Sequence, residues 1–216
     1  MNQSEIEYAK TIILNGHIIG EERCTTTRIE EESLVNKKLR ITSGESAMLV
    51  SVELSYKKDE ILTINTPKSI KINRFDCYFR KLEDLLTQIN CHCMIDVTVE
   101  MDSGNLTKMF YIGLTKLFKS TTTIDFTKEA FCYNTKKHIK PTPIPISFDL
   151  PDIAIFGVFI KQDGTFIILD NLHITEETSC DVLATVFNTN GVTQTSLCCN
   201  SPVQYDIIDS ILIKLI

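Results

Sequence analysis

The chain predicts an α+β fold, with mixed β-sheets packed by helices that alternate irregularly with antiparallel strands, and three stretches carry that expectation. Residues 153–170 hold two β-rich runs, IAIFGVFI and TFIILD, around an Asp163-Gly164 turn. Residues 181–199 repeat the pattern with DVLATVF and VTQTSLCC around Asn188-Thr189-Asn190-Gly191. Residues 75–90 are helical instead. Phe75, Tyr78, Phe79, Leu82, Leu85, Leu86 and Ile89 recur there at three- and four-residue intervals, with Arg80, Lys81, Glu83 and Asp84 opposite.

The remaining elements follow in order. Residues 4–14 suggest a short amphipathic helix capped by Ser4, with Glu5 and Glu7 in its first turn and Asn15-Gly16 ending it. ERCTTTRIEEE joins β-prone threonines to three acids. LRIT, the turn Ser43-Gly44-Glu45-Ser46 and AMLVSVELSY make another hairpin. Residues 57–73 read as a loop with an edge-strand fragment at ILTI. CHCMIDVTVEM is a strand with Ile95, Val97, Val99 and Met101 on one face and Asp96, Thr98 and Glu100 on the other. After the turn Asp102-Ser103-Gly104-Asn105, Asn105 caps a helix to about Lys119 whose apolar face is Leu106, Met109, Phe110, Gly113, Leu114 and Leu117. Ser201 and Pro202 supply a cap and first-turn proline for a terminal helix that places Val203, Ile207, Ile208, Ile211, Leu212 and Leu215 on one face. A single domain over 1–216 is expected, with halves 1–140 and 141–216 meeting at the series Pro141, Pro143 and Pro145.

Composition excludes several classes of function. At 216 residues, with 43% apolar and 23% charged side chains, the chain is long enough for a sizeable core. No apolar run approaches the roughly 20 residues that span a bilayer. The polar, acidic start (Gln3, Ser4, Glu5, Glu7) lacks the regions of a signal peptide. A soluble intracellular protein with no membrane partner is expected. The eight cysteines form no pair of Cys-x-x-Cys knuckles, and the four histidines form no His-x-x-x-His pair, so buried thiols are expected and no metal. Cys91 and Cys93 share one strand face, while Cys198 and Cys199 point to opposite faces. A net charge of −6 argues against an RNA binder acting alone, because phosphate contacts dominate such affinity.

The sharpest candidate chemistry is Asp170, at a strand end, with Glu176 or Glu177 in the acidic loop NLHITEETS that follows. Carboxylates so placed can hold Mg²⁺ or activate a phosphate, although acids in a surface loop also serve solubility alone. The turn before the helix at 106 offers amides to an anion, and a plain cap explains it as well. No glycine-rich phosphate cradle, nucleophile elbow or supported Cys-His pair occurs. Lys68, Lys71 and Arg74 form a basic cluster ahead of the helix at 75, facing phosphates or simply solvent. Lys136, Lys137, His138 and Lys140 form a second on the proline-rich connection. Leu54, Tyr56, Ile61, Leu62 and Ile64 lie near a sheet edge and suggest exposed apolar surface that invites a partner.

Taken in order, these elements resemble the RNase PH-like ring subunits of the eukaryotic RNA exosome. The segments that carry the resemblance are ERCTTTRIE, GESAMLVSVELSY, INRFDCYFRKLEDLLTQI, DVTVEMDSGNLTKMFYIGLTKLF, PIPISF, FIILDNLHITEE and ATVFNTNGVTQTSLCC. The resemblance spans nearly the whole chain and is nearest to ring subunits that have lost activity, in particular the type with an Arg-Thr-Thr-Thr early strand. Departures from the family pattern point the same way. NGHIIGEER stands where members carry Arg-x-Asp-Gly-Arg. Asn105, Leu106 and Thr107 follow Gly104 where active members carry an arginine and serine that hold phosphate. Asp170 matches one catalytic aspartate, but Glu176 or Glu177 stands for the other. The connection before the helix at 75 is also shorter than the family norm.

The resemblance implies an RNase PH-like fold (ribosomal protein S5 domain 2-like) and a non-catalytic, cofactor-free role in a hetero-hexameric ring around an RNA channel. Lys68, Lys71 and Arg74 would touch RNA. Partners would be related ring subunits, RNA-binding cap subunits and an associated hydrolytic exoribonuclease. The work would be rRNA maturation and mRNA turnover in nucleus, nucleolus and cytoplasm. The alternative is an active phosphorolytic 3′-exoribonuclease using Asp170 and Glu176. A third reading is an unrelated α+β interaction module.

Overall fold

A computed structural model describes residues 2–16, 27–33, 38–56, 60–72, 77–119, 122–124, 130–132, 137–139, 144–146, 148 and 150–215. The elements are α1 (Gln3–Leu14), β1 (Thr27–Ser33), β2 (Lys38–Ser43), β3 (Ser46–Tyr56), β4 (Leu62–Asn65), α2 (Cys77–Gln88), β5 (Cys91–Met101), α3 (Leu106–Lys119), β6 (Thr122–Ile124), β7 (Ala130–Cys132), β8 (Lys137–Ile139), β9 (Ile144–Ile146), β10 (Asp152–Ile160), β11 (Phe166–Asp170), α4 (Ile174–Ser179), β12 (Val182–Thr189), β13 (Val192–Cys199) and α5 (Tyr205–Leu215). They build a five-stranded sheet in the order β1-β2-β3-β5-β4 and a four-stranded sheet in the order β11-β10-β12-β13. Two short ladders, β6 with β9 and β7 with β8, complete the pairing. The β4–β5 pairing is parallel and the others are antiparallel, so the first sheet is mixed, as an α+β fold allows.

Turn chemistry sets the hairpins. Asn190 (φ 51) and Gly191 (φ 81) both sit at positive φ, the two-residue turn whose twist matches the strands, and bring Thr189 opposite Val192. Gly44 (φ 58) does the same work between β2 and β3, where Ser43 pairs with Ser46.

Helix α3 lies between the two sheets, packing against β2 and β3 on one side and β10 on the other. Gly113 permits the close approach: a methyl there would come within 2.2 Å of Ile41 Cδ1. Leu106, Met109, Phe110, Leu114 and Leu117 are buried, as their spacing predicts, but so are Tyr111 and Phe118 on the other side. Tyr111 stacks edge-on against Tyr78 of α2, centroids 5.1 Å apart, and against Phe187 of β12 at 5.8 Å. One continuous apolar core therefore joins the sheets through α3. Helix α5 covers the opposite face of the second sheet, where Ile211 packs with Val158 and Val182. No helix among the described residues is long and apolar enough to cross a membrane.

Several local expectations are corrected. Helix α1 is capped by Asn2, not Ser4, through a capping box with Glu5. Helix α5 starts at Tyr205, beyond Ser201 and Pro202, because Ser201 Oγ is engaged elsewhere, donating to Asp181 Oδ1 at 2.7 Å. That buried carboxylate also receives Lys10 Nζ of α1 and the Ile160 amide. The acidic stretch after Asp170 is the short helix α4 rather than a loop. Leu62 is buried, and Leu54, Ile61 and Ile64 pack on the core, so that sheet edge exposes little apolar surface at these positions. The side chain of Tyr56 lies outside the described residues. Cys91, Cys93 and Cys180 are buried thiols, but Cys198 and Cys199 are exposed on β13. Met101 ends β5 in solvent at 57% exposure, past the register shift at Ala47/Met48.

Candidate functional site

Two segments far apart in sequence meet at one point, the turn 102–107 that starts α3 and the segment 170–177 that leads into α4. The turn is shaped locally. Asp102 Oδ1 accepts from the Gly104 amide at 3.1 Å, and Gly104 takes φ 103, a conformation open to glycine. Ser46, buried at the start of β3, accepts from the Ser103 amide and donates to the Gly104 carbonyl. Asn105 (φ 64) stands at the cap position, and its carbonyl takes the first helical bond from the Met109 amide at 3.0 Å.

The second segment presses directly on this turn. The Ile174 amide donates to the Ser103 carbonyl at 2.9 Å. A methyl on Gly104 would fall within 2.3 Å of Ile174 N and 2.7 Å of the Leu172 carbonyl oxygen. Glu177 Oε2 reaches back to accept from the Asn105 amide at 3.2 Å. Burial raises the Glu177 carboxyl above the usual carboxylate range, against the lowering pull of Lys71 and the Asn105 amide.

The two acids singled out from the sequence have different fates. Asp170 is exposed, where Asn171 Nδ2 approaches it at 3.4 Å and Lys108 supplies nearby positive charge. Lys108 Nζ in turn donates to Asn171 Oδ1, and burial lowers its pKa despite Asp170. Glu176 is 1% exposed, and its Oε2 accepts from the His173 amide at 3.0 Å as the far member of a capping box. His173 completes the box by accepting the Thr175 amide on Nδ1. Capping therefore turns Glu176 back onto its own helix. The acid that does reach the turn at 102–107 is Glu177.

The basic cluster is only partly placed. Lys68 and Lys71 are exposed, and the Lys71 amide donates to the buried Thr107 Oγ1 at 3.0 Å, fixing the lysine beside the start of α3. Arg74 lies outside the described residues, as do Lys136 and Lys140, whereas Lys137 and His138 fall in β8. Sequence reasoning missed Lys108 and Ser46. Both are ordinary residues in the linear pattern and gain their places only when β3, α3 and the 170–177 segment converge.

No protein-family model matches the chain, and no curated protein sequence matches it at a significant level. Solved structures do. The chain is similar over 97% of its length to a chain of the archaeal exosome core, covering 91% of that chain at 12% identity with a TM-score of 0.58. It is similar to the same extent to a chain of the Archaeoglobus fulgidus exosome with RNA bound to the active site, covering 92% of that chain at 11% identity with a TM-score of 0.57. Identity at that level speaks to architecture alone. The order of elements, the two sheets bridged by α3 and the whole-length similarity give one conclusion: this chain has the RNase PH-like α+β fold.

Proposed function

We propose that the chain is a non-catalytic, ring-forming subunit of an exosome that processes RNA from its 3′ end. Support for an exosome role comes from fold similarity over 97% of the chain to exosome core chains, one of them in a structure holding RNA. Support for the absence of catalysis rests on one observation: the carboxylate of Glu176 is buried in its own capping box, so the acid pair Asp170 and Glu176 does not assemble as an open site. The turn 102–107 itself carries no cationic side chain for phosphate, since Asn105, Leu106 and Thr107 follow Gly104, and Lys108 beyond it is engaged by Asn171.

The chain would pair with related ring subunits, meet RNA-binding cap subunits and pass RNA to an associated hydrolytic exoribonuclease. Lys68 and Lys71, both exposed, the latter beside the start of α3, would face the RNA backbone together with Arg74. Within the family the subunit type with the Arg-Thr-Thr-Thr early strand is the reading its RCTTT segment favours. Its work would fall in the nucleus, nucleolus and cytoplasm, in rRNA maturation and mRNA turnover.

The test is affinity purification of the full chain followed by native mass spectrometry and a phosphate-dependent RNA digestion assay. Co-purification with other RNase PH-like chains, and no release of nucleoside diphosphates, is the expected result. Phosphate-dependent release abolished by Asp170→Ala would establish the phosphorolytic alternative. Recovery without any related chain would favour an unrelated interaction module.

A further inference from the structure

The sequence places asparagine before glycine twice, at Asn15-Gly16 and at Asn190-Gly191, and both pairs are exposed. Such a pair is a chemically fragile point in water, because glycine has no Cβ to shield its amide nitrogen from the preceding side chain. Once deprotonated, that nitrogen attacks Cγ of the asparagine. A C–N bond closes a succinimide ring, and ammonia leaves. Water then opens the ring at either carbonyl, giving aspartate or isoaspartate. The net change is side-chain amide plus water to carboxylate plus ammonium, and no other reagent is consumed.

The fold separates the two pairs at the glycine nitrogen. At the end of α1 the Gly16 amide donates to the Ile13 carbonyl at 2.9 Å, and the Asn15 amide donates to the Thr11 carbonyl at 3.1 Å. The nucleophile there is held by the helix end. At the tip between β12 and β13, the Gly191 amide has no hydrogen-bond partner among the described residues. Ring closure swings Asn190 out of its left-handed backbone (φ 51) and opens the Thr189–Val192 pair. Val192 is 71% exposed, so that local opening uncovers little apolar surface. Asn200-Ser201, a third asparagine before a small residue, is held more firmly. Asn200 Nδ2 donates to the Cys180 carbonyl at 3.1 Å, its amide donates to the Asp181 carbonyl at 2.8 Å, and Ser201 Oγ is bonded to Asp181.

We propose that Asn190 is a site of spontaneous backbone modification, converted through a succinimide with Gly191 to aspartate and isoaspartate, and that the fold slows the same reaction at Asn15. Conversion adds a negative charge at the hairpin tip. In the isoaspartate form the main chain runs through the former side chain and is one carbon longer. The two-residue turn that sets Thr189 opposite Val192 is then lost. The inference stands apart from ring membership and from any contact with RNA.

The experiment is peptide mapping by mass spectrometry of the full chain, aged in mildly alkaline heavy-oxygen water, with folded and urea-unfolded samples compared. In the folded chain, label uptake at Asn190 is expected to outrun that at Asn15 by roughly two- to tenfold, the factor that one ordinary hydrogen bond on the Gly16 amide is worth. In urea, where no fold holds either glycine, the two rates should converge. Asn190→Gln lengthens the ring by one carbon and should abolish uptake at that position without changing uptake at Asn15. Uptake at Asn15 equal to or above that at Asn190 in the folded chain overturns the proposal. So does a fold that suppresses conversion at both sites. A bias that persists in urea overturns it too, since sequence neighbours would then set the rates. The decisive readings are ratios within one wild-type sample, so none of them depends on a variant folding.

Discussion

Replacing Gly104 by alanine tests whether the two halves meet as tightly as the structure places them. Two costs add at this position. The first is conformational: φ 103 lies in a region where a β-carbon costs about 1–3 kcal/mol. The second is steric. A methyl would meet Ile174 N at 2.3 Å, His173 C at 2.6 Å and the Leu172 carbonyl oxygen at 2.7 Å, all backbone atoms that no rotamer change can move aside. Relief requires the 172–174 segment to retreat, which breaks the Ile174–Ser103 hydrogen bond and pulls Glu177 from Asn105. Each buried polar group so stranded costs about 1–3 kcal/mol. The total is on the order of 3–9 kcal/mol, a large part of the stability of a domain this size. Gly191 is the control, since it has a similar positive φ of 81 with nothing within 4 Å of an added methyl. Gly191→Ala should therefore cost only the conformational part, about 1–2 kcal/mol. Urea unfolding of both variants, compared at constant slope, measures the difference. Equal losses within about 0.5 kcal/mol would refute the close approach and with it the reasoning about Glu177.

Further expectations follow from the same geometry. Tyr111→Ala should cost about 3–5 kcal/mol in urea unfolding, because the ring bridges α2 and β12 at 2% exposure; a loss under 1 kcal/mol would mean that the halves do not share a core. Glu177 titrates above its usual value of 4.5 in the folded chain, so the folded state holds this proton more tightly than the unfolded one. Its contribution is greatest below pH 4.5 and is lost as pH rises through the folded value. Wild type should accordingly gain stability relative to Glu177→Gln as pH falls toward 4.5, and a gain of the opposite sign in a melting series would contradict that assignment. If the proposed function holds, Lys68→Ala and Lys71→Ala in the purified complex should each weaken RNA binding across sequences and lower the salt slope by about one. Unchanged slopes in a filter-binding titration would remove these lysines from the RNA path. Under the same proposal, Asp170→Ala should leave RNA turnover by the assembled complex unaltered in a digestion time course.

Local pattern carried much of this protein. The α3 stripe at Leu106, Met109, Phe110, Gly113, Leu114 and Leu117 is buried as its spacing requires, and the Asn190-Gly191 turn forms the hairpin its φ preferences demand. The candidate site was half legible. Asp170 and the paired glutamates drew attention because acids cluster there, yet which glutamate does what depends on α4. Once those six residues coil, Glu176 turns back to cap them and Glu177 turns outward to Asn105. A helix so short has no periodicity long enough to read, which is why it passed for a loop. Ser201 failed as a predicted cap for a related reason: its hydroxyl finds the buried Asp181 first.

What the amino-acid order determined by itself is the set of elements, their turns and the faces they bury, because propensity, capping and periodicity act within a few residues of one another. Only the tertiary structure decided that α3 is buried on both sides, that Lys71 and Lys108 flank its start and that Glu177 supplies the anion there. Those outcomes depend on contacts between residues tens of positions apart, which chain folding creates and no local window contains.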